Sequence, residues 1–345
     1  MKIMETWIGI FLSLFIKMQR RLSMRKLLKV ILATVLVTSL LAGCGGQKAV
    51  DQKAPEKKFI NIATGGTAGV YYPLGGAIAE ILNKNVPGVN ATAQSTGASV
   101  ANINMLKESK VELAMVQNDT AYYAFKGIEM FKDKQVANMR GISTLYNETI
   151  QIIVLEDSSI KTINDLKGKK VAVGSIGSGT EANARQILEA YGLTYTDLNA
   201  QYLSFGEAAN GLKDGNVDVA FVTAGAPTAA IQDIAFQKKV RLIPLEADKA
   251  DALIKNYPFY AKQLIKANTY PGQITDVATV AVKAMLVVPE NLDADTVYKM
   301  TKAIYTNTDR LKAAHKLGEG ITKETALEGM PIPLHPGAEK FFKEK

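Results

Sequence analysis

The chain has one cysteine, one tryptophan and two histidines in 345 residues, and these scarcities exclude several kinds of protein. A lone cysteine, Cys44, permits no disulfide within the chain, so stability does not depend on redox state. His315 and His335 stand in separate segments, with no HExxH and no cysteine cluster, so no zinc-ligand spacing exists. Basic runs are missing too, once the N-terminus is set aside. Residues 1–43 hold seven basic groups and one acid, leaving 34 of the 41 basic against 32 of the 33 acidic groups for the rest. Most of the formal charge of +8 therefore belongs to the leader, the rest of the chain keeping only +2, and nucleic acid is not supported as a partner. No GxGxxG follows a strand, and no cofactor is implied.

The leader itself is informative. From Met24 the chain reads MRKLLKVILATVLVTSLLAGCGG: Arg25, Lys26 and Lys29, then an apolar run Val30–Leu40, then small residues before Cys44. That order is an export signal over residues 1–43, with the true start expected at Met24. Leu41-Ala42-Gly43-Cys44 resembles a bacterial lipobox, which implies lipidation of Cys44 and an exported, lipid-anchored protein on the outer side of a bacterial membrane. Residues 44–58 are charged and have almost nothing to bury, so they read as a flexible tether.

The mature chain repeats one local grammar. Val171–Glu181, VAVGSIGSGTE, is a short buried strand, a Gly/Ser/Thr turn and a helix opening at Thr180 or Glu181. Such a turn leaves the first helix amides without intrahelical partners, at the positive end of the helix dipole. It suits a small anion, with Gly177 and Gly179 allowing close approach and Ser175, Ser178 and Thr180 adding hydroxyls. An ordinary strand-to-helix turn with a Ser/Thr cap has the same pattern. Phe59–Gly65 followed by Thr67, Tyr71 and Tyr72 repeats it, as do Val89–Thr96 and the Thr96–Ser99 turn. Val111–Gln117 ends in Gln117-Asn118-Asp119, polar residues just past the carboxyl end of a buried strand, where open α/β sheets bind ligands.

An internal echo points to two similar lobes. Leu106–Val116 aligns without gaps on Leu212–Val222, and the second copy ends in Thr223-Ala224-Gly225. The reading is an α/β fold of two lobes with a ligand cleft between them: lobe I over 59–148 and 282–345, lobe II over 149–281. The long runs at Gly141–Leu155 and Thr279–Pro289 are the crossings, with the hinge expected near Thr144–Gln151 and Thr279–Lys283. Residues 246–270 read as helical with a break near Pro258. Ser175, Ser178 and Thr180 have no histidine base nearby in sequence, and GSIGSGT is neither a nucleophile elbow nor a P-loop, so no enzyme is indicated.

The order ATGGTAGVYYPLGG (63–76), STGAS (95–99), VELAMVQND (111–119), VGSIGSGTEANA (173–184) and IPLHPGAEKFFKE (332–344) resembles the TAXI family, the solute-binding proteins of TRAP-type transporters. The resemblance implies a type II periplasmic-binding-protein fold that closes on a small anionic or zwitterionic solute and delivers it to a TRAP membrane permease. The solute implied is a glutamate, glutamine or dicarboxylate. It implies ligand contacts at Thr67, Tyr71, Tyr72, Thr96, Ser99, Gln117, Asp119, Ser175, Gly177, Ser178, Gly179, Thr180, Glu181, Thr223 and Gly225. The first turn at Ser178–Thr180 would hold a carboxylate, and Asp119 or Glu181 would accept an amino group. A ligand sensor feeding a signalling system, or an exported enzyme on the same fold, are the alternatives.

Overall fold

The computed structural model describes residues 58–344; the leader, Cys44 and most of the tether lie outside the described residues. The elements alternate from the start. Strands β1 (Lys58–Ala63), β2 (Val89–Gln94) and β3 (Leu113–Gln117) alternate with helices α1 (Tyr71–Asn85), α2 (Ser99–Lys107) and α3 (Asn118–Lys126). A long strand β4 (Met139–Leu155) leads to β5 (Lys170–Ala172), α4 (Gly179–Ala190), β6 (Asn199–Gln201), α5 (Phe205–Asp214) and β7 (Val219–Ala224). Then come α6 (Ala229–Gln237), β8 (Val240–Leu242), α7 (Ala247–Asn256), β9 (Ala261–Ile265) and the second long strand, β10 (Val277–Pro289). Helices α8 (Ala294–Thr306), α9 (Thr308–Ala314) and α10 (Pro336–Lys343) finish the chain.

The strand order β2-β1-β3-β10-β4-β7-β5-β6 explains the sequence echo. β1 pairs in parallel with β2 and β3, and β5 pairs in parallel with β6 and β7. On one side β3 lies antiparallel to the second half of β10, and on the other β7 lies antiparallel to the second half of β4. The two halves therefore carry the same layout, with β1, β2, β3 and β10 answering to β5, β6, β7 and β4. Leu106–Val116 and Leu212–Val222 fall on equivalent helix–strand units, α2–β3 and α5–β7. Two lobes result, joined by β4 and β10 lying side by side.

The helices close over these half-sheets by burying one face each. In α1 that face is Leu74, Ile78, Ile81 and Leu82, all at most 2% exposed, packed on Ile60, Ile62 and Met115. Lobe II has its own apolar core around Val171, Val173, Ile187, Leu188 and Phe221. Ends are punctuated as expected. Gly127 and Gly215 take the left-handed conformation after α3 and α5, and Ser204 and Glu207 form a capping box on α5. His335 is a structural cap, its Nδ1 accepting the Gly337 amide at 3.2 Å.

One segment departs from expectation. Residues 246–270 are not helical throughout: α7 ends at Asn256, and Ala261–Ile265 is the edge strand β9, antiparallel to the first half of β10. Its face is mostly exposed, so the apolar alternation that marks a strand is missing and only the β10 backbone defines it. A smaller shift falls at α4, which opens at Gly179 with Ser178 as its cap, a residue earlier than predicted.

Candidate functional site

Each parallel strand hands the chain to a turn at the same edge of its half-sheet, so the following helices begin beside the other lobe. Val70-Tyr71 at the start of α1, Ala98-Ser99 at α2, Ser178-Gly179-Thr180 at α4 and Ser204-Phe205 at α5 all line one cavity. Two of these helix starts come from each lobe. The cavity and the open solvent at its mouth together take up about 530 Å³. Neither α1 nor α2 has a side-chain cap or an acid in its first turn, so their amides remain for something else. Together four helix N-termini place partial positive charge around one small volume. Among the described residues, no lysine, arginine or histidine lines it.

Several predicted residues meet there: Tyr71, Thr96, Ser99, Gln117, Ser175, Ser178, Gly179, Thr180 and Thr223 all line the cavity. Their hydroxyls are not equally free. Thr96 Oγ1 donates to the Thr64 carbonyl at 3.0 Å and Ser99 Oγ accepts the Gln117 amide at 3.1 Å, so both hold their turns together. Ser178 Oγ accepts the Glu181 amide at 3.1 Å, so this residue caps the helix and lines the cavity at once. Tyr71 Oη, Gln117 Oε1 and Thr223 Oγ1 are buried and find no hydrogen-bond partner among the described residues. Buried polar atoms are normally paired, so unpaired ones facing a cavity mark a place for a ligand.

Other predicted residues lie elsewhere. Thr67 is exposed at the β1–α1 turn, and Tyr72, 38% exposed, points out of α1 while Tyr71 points in. Glu181 faces away from the cavity: its carboxylate accepts the Tyr195 hydroxyl at 2.8 Å and lies 3.9 Å from Arg185. Gly177 has φ +77°, a glycine conformation, and its carbonyl accepts the Ala101 amide across the cleft at 3.0 Å. Gly225 packs under Leu317, whose Cδ1 would lie 1.9 Å from an added Cβ.

Asp119 is also absent from the cavity, and it serves as an interlobe lock. Its buried carboxylate takes the Thr120 amide at 2.6 Å and Asn183 Nδ2 of lobe II at 2.9 Å. Asn183 also donates to Tyr260 Oη at 2.8 Å, which donates to Gln186 Oε1 at 2.6 Å, and Gln186 Nε2 donates to Tyr123 Oη at 3.1 Å. Burial pushes the Asp119 carboxyl up to about 6, against the Thr120 and Asn183 hydrogen bonds that pull it down. Ala230 N to Ala68 O at 3.2 Å and Arg185 to Glu129 at 3.6 Å are further contacts across the cleft. The lobes are closed on each other.

The residue sequence reasoning missed is Glu148, with Ser204 and Phe205 beside it. Glu148 sits on β4 where the strands cross, 3% exposed, and burial pushes its carboxyl up to about 8, with the Asp119 charge adding and Gln117, Tyr71 and Tyr146 opposing. A signal existed: it is the one acid in MRGISTLYNETIQIIVL, a strand buried along most of its length. A larger groove behind the crossings, lined by Lys266, Lys283, Lys316, Glu319 and Glu328, gathers no helix N-termini. Lys283 there is already paired with Glu328 at 3.0 Å.

Two lobes of matched topology, crossed by two strands and closed on one cavity, define a periplasmic-binding-protein type of fold. A solved structure from Bordetella bronchiseptica RB50 has it, at 15% identity and TM-score 0.52 over 81% of this chain and 84% of that one. So does PhnD1 of Prochlorococcus marinus (MIT 9301), solved with methylphosphonate, at 12% identity and TM-score 0.50 over 75% and 88%. The chain belongs to the NMT1-like family, which matches residues 62–345. A curated Escherichia coli (strain K12) relative, named for binding aliphatic sulfonates, is 42% identical over 67 residues. That match spans 19% of this chain and 21% of the relative.

These findings overturn the resemblance to the TAXI family, and the TRAP permease goes with it. All the motifs that carried the resemblance except the C-terminal one lie at strand–turn–helix starts, and such starts occur in both lobes. Glycine and hydroxyl residues are needed wherever a binding protein of this fold aims helix N-termini into its cleft. The grammar belongs to the fold and does not single out one transporter family.

Proposed function

We propose that the chain is an extracytoplasmic solute-binding receptor that captures a small organic acid by lobe closure and presents it to a membrane transporter. The observation that carries this reading is the convergence of four helix N-termini, two per lobe, on one cavity without a basic side chain among its described lining. A ligand spanning that cavity touches both lobes and so favours the closed form by its differential affinity. Bending at Thr144–Gln151 and Thr279–Lys283 would open it, because these are the stretches where β4 and β10 pass between lobes. The acid head can be a carboxylate or a sulfonate, since amides and hydroxyls satisfy either; amino acids, other organic acids and the sulfonates of the Escherichia coli relative's name all fall within range. Lipid at Cys44 would hold the receptor at the membrane. Binding rather than turnover is favoured because neither His315 nor His335 reaches the lining hydroxyls.

A thermal-shift screen of the purified chain against carboxylic and sulfonic acids tests this. A ligand at 100 times its Kd adds about 2.7 kcal/mol to stability. A saturable rise in Tm with an acid recovered unchanged by mass spectrometry is the expected result. A response confined to neutral or cationic compounds would overturn the reading, and conversion of the acid would replace a receptor with an enzyme.

A further inference from the structure

A cavity built for an anion contains a carboxyl of its own. Glu148 is buried and lines the cavity, with Gln117, Tyr71 and Tyr146 the hydrogen-bonding groups nearest its carboxyl. The groups facing it are Tyr71 from α1, Tyr146 from its own strand, Gln117 from the end of β3 and the Asp119 charge from α3. Its neighbour in register on β10 is Val282. None of these is a cation. The Tyr71 and Tyr146 hydroxyls are themselves buried and unpartnered among the described residues. A buried carboxyl needs a cation or a proton, and no side-chain cation stands among the described residues that line the cavity. The helix N-termini that could offset its charge are the groups that an acid ligand would occupy.

Resting on the reading of this cleft as an acid-binding site, we infer that the receptor selects zwitterions, the acid head on the helix N-termini and an ammonium on Glu148. A dianion would set its second charge against the Glu148 carboxylate and bind only by carrying a proton in with it. A zwitterion satisfies both ends and brings no net charge of its own into the cavity. Glu148 is then the residue that separates amino acids and aminosulfonates from plain acids.

The two cases differ in sign with pH. Burial keeps the empty-site Glu148 protonated up to about 8. An ammonium ligand needs the carboxylate, so its binding releases a proton below that pH and its affinity rises up to tenfold per unit from pH 6 to 8. A plain acid prefers the protonated form, so its affinity is flat over that range and falls above it.

The test is calorimetric titration of the full chain with matched pairs: taurine against ethanesulfonate, β-alanine and L-alanine against propionate, L-glutamate against glutarate. Each is run at pH 6, 7 and 8 in two buffers of different ionisation enthalpy. The expected result is at least 100-fold tighter binding of an amine-bearing member, with proton release, and loss of that preference in Glu148→Gln. Equal binding of both members, or tighter binding of the plain acid with proton uptake, overturns the inference while the acid-receptor reading stands. Binding of neither member of any pair defeats that reading and the inference together. Proton release is read on the unmodified chain, so the result does not depend on the variant folding.

Discussion

Gly179→Ala probes the closed cleft where the lobes come closest. Gly179 opens α4 in lobe II, and a Cβ there would lie 1.7 Å from Gln117 Oε1, 2.4 Å from its Cδ and 3.1 Å from Thr120 Oγ1, all in lobe I. Gln117 is 2% exposed, so its amide cannot swing into solvent. The methyl therefore forces the lobes apart or the glutamine off its rotamer, a cost of about 1–3 kcal/mol typical of overpacking. The open form has no such contact, and alanine is the better helix former by about 1 kcal/mol in a helix interior. The entire penalty falls on closure, so affinity for the strongest hit of the acid screen should drop about 5- to 150-fold. Calorimetry gives the affinity, and small-angle scattering gives the fraction closed. Gly76→Ala is the control: nothing lies within 4 Å of its added Cβ, so it should stabilise the fold by about 0.5–1 kcal/mol and leave affinity alone. Binding by Gly179→Ala within twofold of the unmodified protein would refute the argument that this structure is the ligand-holding closed form.

Thr223→Val removes a buried hydroxyl that has no partner among the described residues. The ligand-free protein should be as stable or slightly more so, while acid binding weakens by about 0.5–1.5 kcal/mol in calorimetry. Ser178→Ala removes the α4 cap and should cost about 1 kcal/mol in denaturant unfolding of the ligand-free chain. Asp119 has a raised pKa in the folded protein, so it binds protons more readily folded than unfolded. Its contribution favours the fold at low pH and is lost as pH rises from the ordinary carboxylate value through about 6. The stability of Asp119→Asn relative to the unmodified chain should therefore climb between pH 4 and pH 6 and then level off, read from Tm against pH; a flat difference would show that the Asp119 carboxyl is not buried.

Much of the fold was legible because the turns that build it must be small, polar and glycine-bearing. The matched pair Leu106–Val116 and Leu212–Val222 shows how closely: the same spacing from helix end to buried strand recurs because β3 and β7 occupy equivalent places beside a crossing strand. The site was legible only to the level of the turn. Tyr71 and Tyr72 are adjacent on a helix about 100° apart, so only one can face the cavity, and no local feature says which. Asp119 stands two residues past Gln117, which lines the cavity, and is turned into the interlobe lock. Glu148 has no local signature of this kind, because it lies inside a long strand and not in a glycine- or hydroxyl-bearing turn. Family identity was illegible for a different reason, since the most recognisable stretches are those which the fold itself requires.

On the proposed reading, acid heads are held by helix N-termini in the interlobe cavity. A crystal structure of the chain with the best acid from the screen tests it most directly. The prediction is an acid group hydrogen-bonded to the amides of Gly179 and Thr180, with the lobes closed and Tyr71 and Thr223 newly partnered. An acid seated instead in the groove of Lys266, Lys283 and Lys316, with the interlobe cavity holding only water, would contradict it.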